Sequence, residues 1–355
     1  MLWMSSSTPA AAAAAGLTFP HAAPPEPGGL VEIAPGVLWL RLALPFQLNH
    51  VNVYLIEDEG GWAVLDTGLG DDATRAAWQA VLAGPLAGSR LTRLIVTHFH
   101  PDHVGLAGWM CERYGLPLHM SQTEYLFSHA MQLDQTGIGD EPLRAFHRTT
   151  GLNTEQIEQV VGRGHSYLKR TTGLPPTFLR LMAGDRLPLG GRGFDILTGA
   201  GHAPEQVMLF EPATKLFFSA DQILAKISPN VSVWSMEPEA DPLGLYLRSL
   251  AEIRASLPED AFVLACHNLP FYGLHRRIDE LVQHHRHRCA EIADACRAAP
   301  KSAADIIPVL FHRPLDAHQT GFAVGEVVAH LNYMRRCGEL TRETRTDGVH
   351  LYRVS

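Results

Sequence analysis

The sequence has few cysteines, no early basic residue and no long apolar run. Its five cysteines form no C-x-x-C pair, and no Lys or Arg occurs before Arg41. A disulfide framework, and a secretory signal with its basic first region, are therefore not predicted. Gly, Pro or a charged residue interrupts every apolar run before the ~18 residues that a membrane span requires. These absences predict a cytoplasmic protein with free thiols and no membrane partner.

Positive charge is also scarce. The formal net charge is −8, with 29 Lys and Arg against 37 Asp and Glu, which argues against nucleic-acid binding as the main activity. A length of 355 residues predicts about two domains, and a hydrophobic fraction of 46% is enough to form a buried core. We predict a disordered tail over residues 1–29, where Ser, Ala and Pro are frequent, a catalytic domain over 30–270 and a C-terminal domain over 271–355.

Several short apolar runs end in the same kinds of residue. Such continuous Val, Ile, Leu and Phe runs are typical of strands covered on both faces, which predicts an α/β fold with helices over the sheets. In layered α/β folds, functional side chains collect at the carboxyl ends of strands. The runs at 62–65, 94–97, 194–198, 216–220 and 261–265 are followed by Asp66, His98, His202, Asp221 and Cys266-His267. The sequence therefore predicts that these Asp and His side chains meet at one edge of the sheets.

Histidine is abundant, with 19 in the chain, and one group of them has a distinctive spacing. His98, His100, Asp102 and His103 follow one predicted strand within six residues. In an extended segment, residues 98 and 100 project the same way and can share one metal ion. Asp102 and His103 lie where a helix begins and can face a second ion. Imidazole and carboxylate ligands suit Zn²⁺, and also Fe or Mn.

Two motifs resemble those of a known family. Residues 97–105, Thr-His-Phe-His-Pro-Asp-His-Val-Gly, resemble the signature of the metallo-β-lactamase fold superfamily, and residues 65–68, Leu-Asp-Thr-Gly, resemble the strand end that precedes it. Gly201-His202, Ala220-Asp221 and Cys266-His267 follow in the order in which that family supplies its remaining ligands. The resemblance covers about residues 30–270. It implies an αβ/βα sandwich with a two-metal site between the sheets.

The resemblance also implies a ligand set for two zinc ions, with Fe or Mn as alternatives. His98, His100 and His202 would hold one ion, Asp102, His103 and His267 would hold the other, and Asp221 would bridge them.

The sequence departs from the family pattern in three places. Ala203 follows His202 where relatives often carry a second His, which is not usually a ligand. Cys266 stands before His267 where a Gly is usual, and we interpret it as a bystander. Leu224 occupies the place at which acyl-homoserine lactonases of this superfamily carry a Tyr, which disfavours that activity. Asp66 is expected to orient a ligand.

About seventy residues between His119 and the predicted strand at Phe194 have a helical pattern and add no ligand. We predict a helical cap over about residues 120–182 that shapes the substrate pocket. His50 and Asn52 could approach the same edge. The cap residues that could line an apolar pocket, or instead pack the cap on the body, are Tyr125, Phe127, Phe146, His165, Tyr167, Phe178 and Met182.

The last eighty residues read as helices followed by a hairpin with an Asp347-Gly348 turn. This order resembles the small winged-helix-like domain of some metallo-β-lactamase-fold hydrolases. We expect it to brace the body or to form a homodimer. Arg335, Arg336, Arg342 and Arg345 are expected to belong to a surface of mixed charge, and His284, His285 and His287 to the solvent face of a helix.

The predicted activity is metal-dependent hydrolysis. A hydroxide that bridges two ions would attack the substrate, and Asp102 or Asp221 would hold it and receive its proton. The expected substrate is a small molecule, an ester, thioester or lactone with an apolar portion. The alternatives are a phosphodiesterase or ribonuclease, and a non-hydrolytic effector-binding protein or a di-iron redox protein of the same fold.

Overall fold

Two β-sheets form the centre of the molecule. The computed structural model describes residues 16–133, 140–162 and 167–355, apart from the side chain of His318. The larger sheet has seven strands in chain order: β1 (Leu30–Ala34), β2 (Val37–Ala43), β3 (His50–Asp58), β4 (Gly61–Leu65), β5 (Leu91–Ile95), β6 (Leu118–Met120) and β7 (Leu179–Arg180). Strands β1 to β4 pair antiparallel, whereas β4 to β7 pair parallel.

The second sheet has five strands, and a hairpin follows near the end of the chain. The five strands are β8 (Arg186–Leu189), β9 (Arg192–Gly199), β10 (Gln206–Glu211), β11 (Leu216–Ala220) and β12 (Phe262–Ala265). Their order in the sheet is β12-β11-β10-β9-β8, with β11 and β12 parallel. The hairpin pairs β13 (Leu340–Thr344) with β14 (His350–Val354).

Helices cover the outer faces of both sheets. They are α1 (Asp72–Ala83), α2 (Pro101–Val104), α3 (Ala107–Tyr114), α4 (Gln122–Gln132), α5 (Asp140–Thr149), α6 (Thr154–Val161), α7 (Pro242–Ser256), α8 (Leu274–Ala298), α9 (Ala303–Leu310) and α10 (Ala317–Arg336). None of these described helices has both the length and the apolar character needed to cross a membrane.

Alternation along the strands divides the core into layers. Trp39 and Tyr54 of the first sheet pack against Phe194 and Phe218 of the second, and the rings of Tyr54 and Phe218 lie 5.4 Å apart. The opposite face of the first sheet packs against α1 and α3, and that of the second against α7, α8 and α10. The predicted αβ/βα sandwich is thereby confirmed.

The start of the described chain differs from the predicted disordered tail. Leu17 is buried, Thr18 pairs with Tyr272, and the ring of Phe19 lies 6.4 Å from that of Phe271. Residues 1–15 lie outside the described part of the chain. Residues 17–19 are thus packed on the body in this structure, where the apolar side chains of Leu17 and Phe19 cover the segment before α8.

The prediction for the α8 histidines is wrong in one of three positions. His287 is exposed and His284 half-buried, but His285 is buried, with Nδ1 3.1 Å from His330 Nε2 of α10. The helix pattern alone did not show that α10 covers this face of α8.

Gly105, just after α2, packs closely against the backbone of the loop that contains Gly70 and of residue Pro101. A Cβ at this position would lie 2.3 Å from Gly70 N and from Pro101 O. We expect Gly105→Ala to lower the free energy of unfolding by about 1–3 kcal/mol, because backbone must move to admit the methyl group. The measurement is urea denaturation. Gly321→Ala is the control, since its Cβ would make only a 3.4 Å contact in a helix and should be neutral or stabilising.

Candidate metal centre

The metal centre that the sequence predicts lies where strands of both sheets end. His98 follows β5, His202 follows β9, Asp221 follows β11 and His267 follows β12. His100 caps α2, which places Asp102 and His103 in its first turn. All seven predicted ligands are buried.

Each of four histidines is oriented by a hydrogen bond through Nδ1. His103 donates to Asp66 Oδ2 at 2.8 Å, His202 to the carbonyl of Asn230 at 2.9 Å and His267 to the carbonyl of His50 at 2.8 Å. His98 Nδ1 lies 2.9 Å from Thr97 Oγ1. Because a neutral imidazole that donates through Nδ1 has its lone pair on Nε2, these contacts aim four Nε2 atoms into the site.

The inward atoms come together closely enough to share metal ions. Three groups of ligand atoms each lie within 4.8 Å of one another: His98, His100 and His202; His98, His103 and Asp221; Asp102, His103 and His267. Asp221 Oδ2 lies 3.4 Å from His202 Nε2, and Asp221 Oδ1 lies 3.4 Å from His267 Nε2. Asp221 thus lies between the two histidine groups.

These atoms fit a metal site because protein atoms leave them unsatisfied. Among the described residues, Nε2 of His98, His103 and His267, Oδ2 of Asp102 and both carboxylate oxygens of Asp221 have no hydrogen-bond partner. Buried polar atoms without partners cost free energy, so such a cluster requires an explanation. His100 Nδ1 lies 3.0 Å from His202 Nε2, a contact that needs a proton or a cation between the two nitrogens. Bound cations would satisfy all of these atoms.

The histidines of the cluster differ in the direction of their pKa shifts. Burial, then the neighbouring imidazoles, lowers the pKa of His98 and His100 well below 6.5, so both keep a free lone pair near neutral pH. Burial opposes protonation of His103 and His267, but Asp221 and Asp102 outweigh it and raise the pKa of both. Because metal ligands must be deprotonated, metal binding at this side releases protons.

A hydrogen-bonded group behind the ligands holds them in place. Asp66 accepts from Thr97 N and Thr97 Oγ1, both at 2.8 Å, as well as from His103 Nδ1. Cys266 Sγ lies 3.6 Å from Asp66 Oδ2, and burial raises the pKa of its thiol. Asp66, His103 and Cys266 also lie close enough to bind a metal. Their facing atoms already pair with one another, which supports an orienting role for Asp66.

His50 and Asn52 support the last ligand loop. His50 Nε2 accepts from Asn268 N at 2.9 Å, and Asn52 Nδ2 donates to the carbonyls of Ala265 and Asn268. Both residues therefore approach the edge, as the sequence suggested, and they contact the backbone on either side of His267.

Glu124, which the sequence analysis did not single out, joins two ligand loops. Its carboxylate accepts from Phe99 N at 2.9 Å and from Glu205 N at 2.6 Å. Burial raises the pKa of Glu124 to about 7. A buried acidic residue at the third position of a helix is an ordinary N-terminal feature, so the sequence alone gave no sign of this bridge.

Aromatic side chains form a wall beside His100. The ring of Phe99 lies 4.4 Å from that of His100, 4.5 Å from Phe127 and 5.8 Å from Trp234. Tyr167 donates to the carbonyl of Phe99 at 2.9 Å. Phe127 and Tyr167 are thus near the metal centre, as the cap prediction requires, whereas Trp234 was not singled out from the sequence.

The other predicted pocket residues lie elsewhere or are outside the described chain. Tyr125 stacks on Phe178 with 4.0 Å between ring centroids, and Met182 is exposed. Phe146 packs with the C-terminal helices and lines a separate cavity of about 380 Å³. His165 lies outside the described residues.

The sequence over residues 47–267 matches the family model described as metallo-beta-lactamase superfamily. The chain belongs to the metallo-β-lactamase superfamily. Residues 289–355 match a second model, the metallo-beta-lactamase-like C-terminal domain. The resemblance seen in the sequence is therefore confirmed.

Several known proteins are similar to this chain over more than half of its length. A crystal structure of a beta-lactamase domain protein from Burkholderia ambifaria is 38% identical, with a TM-score of 0.90, covering 97% of this chain and 100% of that one. The probable metallo-hydrolase YqjP of Bacillus subtilis is 22% identical over 84% of this chain and 92% of its own length. The acyl-coenzyme A thioesterase MBLAC2 of Bos taurus is 22% identical over 54% of this chain and 65% of its own length.

The arginines of the C-terminal domain of this metallo-β-lactamase superfamily protein are paired. Arg335 and Arg342 both form ion pairs with Glu239, and Arg345 pairs with Asp347 at 2.7 Å. Arg336 donates to the carbonyl of Glu239 at 3.0 Å. These pairs fit a surface of mixed charge better than a basic surface for nucleic acid.

Proposed function

We propose that this metallo-hydrolase cleaves a carboxylic ester or thioester at a centre of two divalent metal ions, with zinc as the expected metal. The proposal rests on one observation: the unsatisfied ligand atoms of both sheets converge directly beside an apolar aromatic wall. His98, His100 and His202 would hold one ion and Asp102, His103 and His267 the other, with Asp221 between them. Two bound ions would supply an activated water and polarise the scissile carbonyl.

Residues around the proposed metal ions would accept a proton, orient the metal ligands and bind the apolar part of the substrate. Asp221 and Asp102 have buried carboxylate oxygens without a hydrogen-bond partner among the described residues, and either carboxylate can accept a proton from an attacking water. Asp66 and the carbonyl of Asn230 keep His103 and His202 in one tautomer. Phe99 is buried beside His100, and the half-buried rings of Phe127 and Trp234 that pack on it offer an apolar surface to an acyl chain.

Two further observations favour carboxyl over phosphoryl substrates. The aromatic wall of Phe99, Phe127 and Trp234 has no charged member, whereas a nuclease needs a Lys, Arg or helix N-terminus at each phosphate. One relative of the chain is named as an acyl-coenzyme A thioesterase. We therefore place thioesters first among the candidate substrates.

Purified protein should hydrolyse at least one p-nitrophenyl ester or acyl thioester with kcat/KM about tenfold or more above that for bis-p-nitrophenyl phosphate or single-stranded RNA. The kcat/KM for the preferred substrate should change little with salt, because its binding releases few counterions. A polyanion bound through 6–10 phosphate contacts would instead lose about 10³–10⁵ in affinity between 50 and 200 mM salt. The measurement is steady-state kinetics at both salt concentrations, with metal analysis and chelator treatment. Efficient, salt-sensitive RNA cleavage would reverse this ranking.

A further inference from the structure

Arg170 is fixed at the edge of the metal centre by its backbone. It ends a short 3₁₀ turn, and its carbonyl accepts from Gly70 N at 2.8 Å. Gly70 follows the loop that carries Asp66, and a Cβ at Gly70 would lie 2.5 Å from Arg170 O. The neighbouring residue Thr172 bonds the carbonyl of Gly105 through both its N and its Oγ1. The position of Arg170 is therefore coupled to the two loops that surround the ligands.

The guanidinium of Arg170 is half-buried and has no polar partner. Its Cζ lies 4.7 Å from the ring centroid of Phe46, which restricts its orientation. Within the described ranges, it makes no hydrogen bond and no ion pair. By contrast, the guanidinium groups of Arg192 and Arg277 bond a carboxylate and two backbone carbonyls, respectively. A partly desolvated Arg retains five donors that are free for a ligand.

Asp102 is close enough to Arg170 for its charge to affect the guanidinium, although the two side chains form no ion pair in the described structure. Burial lowers the pKa of Arg170, and the charge of Asp102 raises it in part, so the two groups share one electrostatic environment. The ion-pair contacts of Asp102 in the described structure are instead with His103 and His267, at 3.7 and 3.5 Å. Two divalent ions would outweigh the charges of Asp102 and Asp221. Arg170 would then add positive charge to a site that already has an excess, which favours an anionic ligand.

We propose that Arg170 binds an anionic group of the substrate, a carboxylate or a phosphate, while the apolar part of the substrate lies against the half-buried rings of Phe127 and Trp234. This inference rests on the proposed esterase or thioesterase function and names the substrate class for it. The planar guanidinium can hold either oxyanion through two parallel hydrogen bonds. The oxyanion belongs either to the acyl portion, as in a dicarboxylic thioester, or to the leaving thiol, as in a coenzyme A thioester.

Three thioesters distinguish these two sources. S-hexanoyl-N-acetylcysteamine is neutral, S-adipyl-N-acetylcysteamine places a carboxylate on the acyl chain, and hexanoyl-coenzyme A places phosphates on the thiol. Arg170→Met removes the charge and keeps an unbranched side chain. Lys169→Met is the matched control, since it removes one charge from an exposed side chain of the same turn. Metal content and Tm are measured for each variant to show that the site and fold persist.

We expect Arg170→Met to lower kcat/KM for one of the anionic thioesters by about tenfold to a hundredfold, mainly through KM, because charge-assisted hydrogen bonds are lost. The neutral thioester should change by less than about threefold, and Lys169→Met should alter none of the three. The thioester that loses activity identifies the source of the oxyanion. Equal losses on all three, or the same losses in Lys169→Met, would overturn the proposal.

A binding measurement separates this inference from the proposed function. Isothermal titration calorimetry of the metal-loaded protein with adipate and with coenzyme A requires no turnover. We expect one of them to bind the wild type and to bind Arg170→Met at least about tenfold more weakly. If no thioester or ester is hydrolysed but this loss is seen, the proposed reaction fails and the anion site stands. If neither probe binds the wild type, the anion site is wrong.

Discussion

Purified His100→Ala and Asp221→Asn proteins are expected to lose bound metal and to retain less than about one hundredth of wild-type turnover. Substitution of residues that only orient a metal ligand typically costs 10–100-fold, and removal of a ligand should cost more. Asn at 221 keeps the volume of Asp but offers only one oxygen and no charge to the two histidine groups. The measurements are metal content by mass spectrometry and kcat/KM for the best substrate.

His287→Ala provides the matched control for these variants. His287 is exposed on α8, and the ion pair that it forms in the described part of the chain is with Glu291, one turn further along the helix. Its removal should leave metal content and turnover unchanged. Wild-type activity in either His100→Ala or Asp221→Asn would show that the assigned ligands do not form the reactive centre.

Asp66→Ala should lower both stability and metal affinity. It would leave Thr97 N and His103 Nδ1 without their acceptor inside a fully buried region. The expected loss is about 3–5 kcal/mol in the free energy of unfolding, as for removal of one partner from a buried charged pair, and about 10–100-fold in metal affinity. Denaturant unfolding and competition with a chelator measure the two effects.

Asp72→Asn tests whether any loss is specific to this position. Asp72 lies six residues further along the chain, is almost fully exposed and, among the described residues, forms an ion pair with Arg75 on the surface of α1. Such surface pairs contribute about 0–1 kcal/mol. If Asp66→Ala unfolds and binds metal like Asp72→Asn, then Asp66 does not orient His103.

The sequence was most informative where Asp or His residues directly follow a predicted strand. Asp66, His98, Asp221 and His267 each follow a buried apolar run, and the ends of such runs share one edge of the packed sheets. Spacing alone placed residues 98–103 together. The pairing of β11 with β12 brought Asp221 beside His267, a contact that depends on sheet order and was available only through the family resemblance.

The sequence was least informative about surfaces that tertiary packing covers. His285 has the pattern of an exposed helix residue, yet α10 buries it against His330. Phe146 was a candidate pocket residue, but it belongs to the buried apolar cluster that includes residues of the C-terminal helices. A helical pattern shows which residues share a face but not which element covers that face.

The predicted cap divides into two parts for the same reason. Helix α4 and the turn at residues 167–170 border the metal centre through Phe127, Tyr167 and Arg170. Helices α5 and α6 pack on the C-terminal helices, and the Thr150 carbonyl accepts from Ala304 N at 2.9 Å. Both parts have a helical pattern, and such a pattern does not show which element a helix packs against, so the sequence could not distinguish them.

The order of the ligands along the chain determines when the metal centre can form during protein synthesis. His98, His100, Asp102 and His103 leave the ribosome first, but Asp221 follows only with β11 and His267 only after β12. A nascent chain that ends before β12 therefore lacks a ligand and the strand that positions it. If these seven residues hold metal as proposed, full loading would be a late step of biogenesis that follows the pairing of both sheets, and the first four ligands would be made well before their partners.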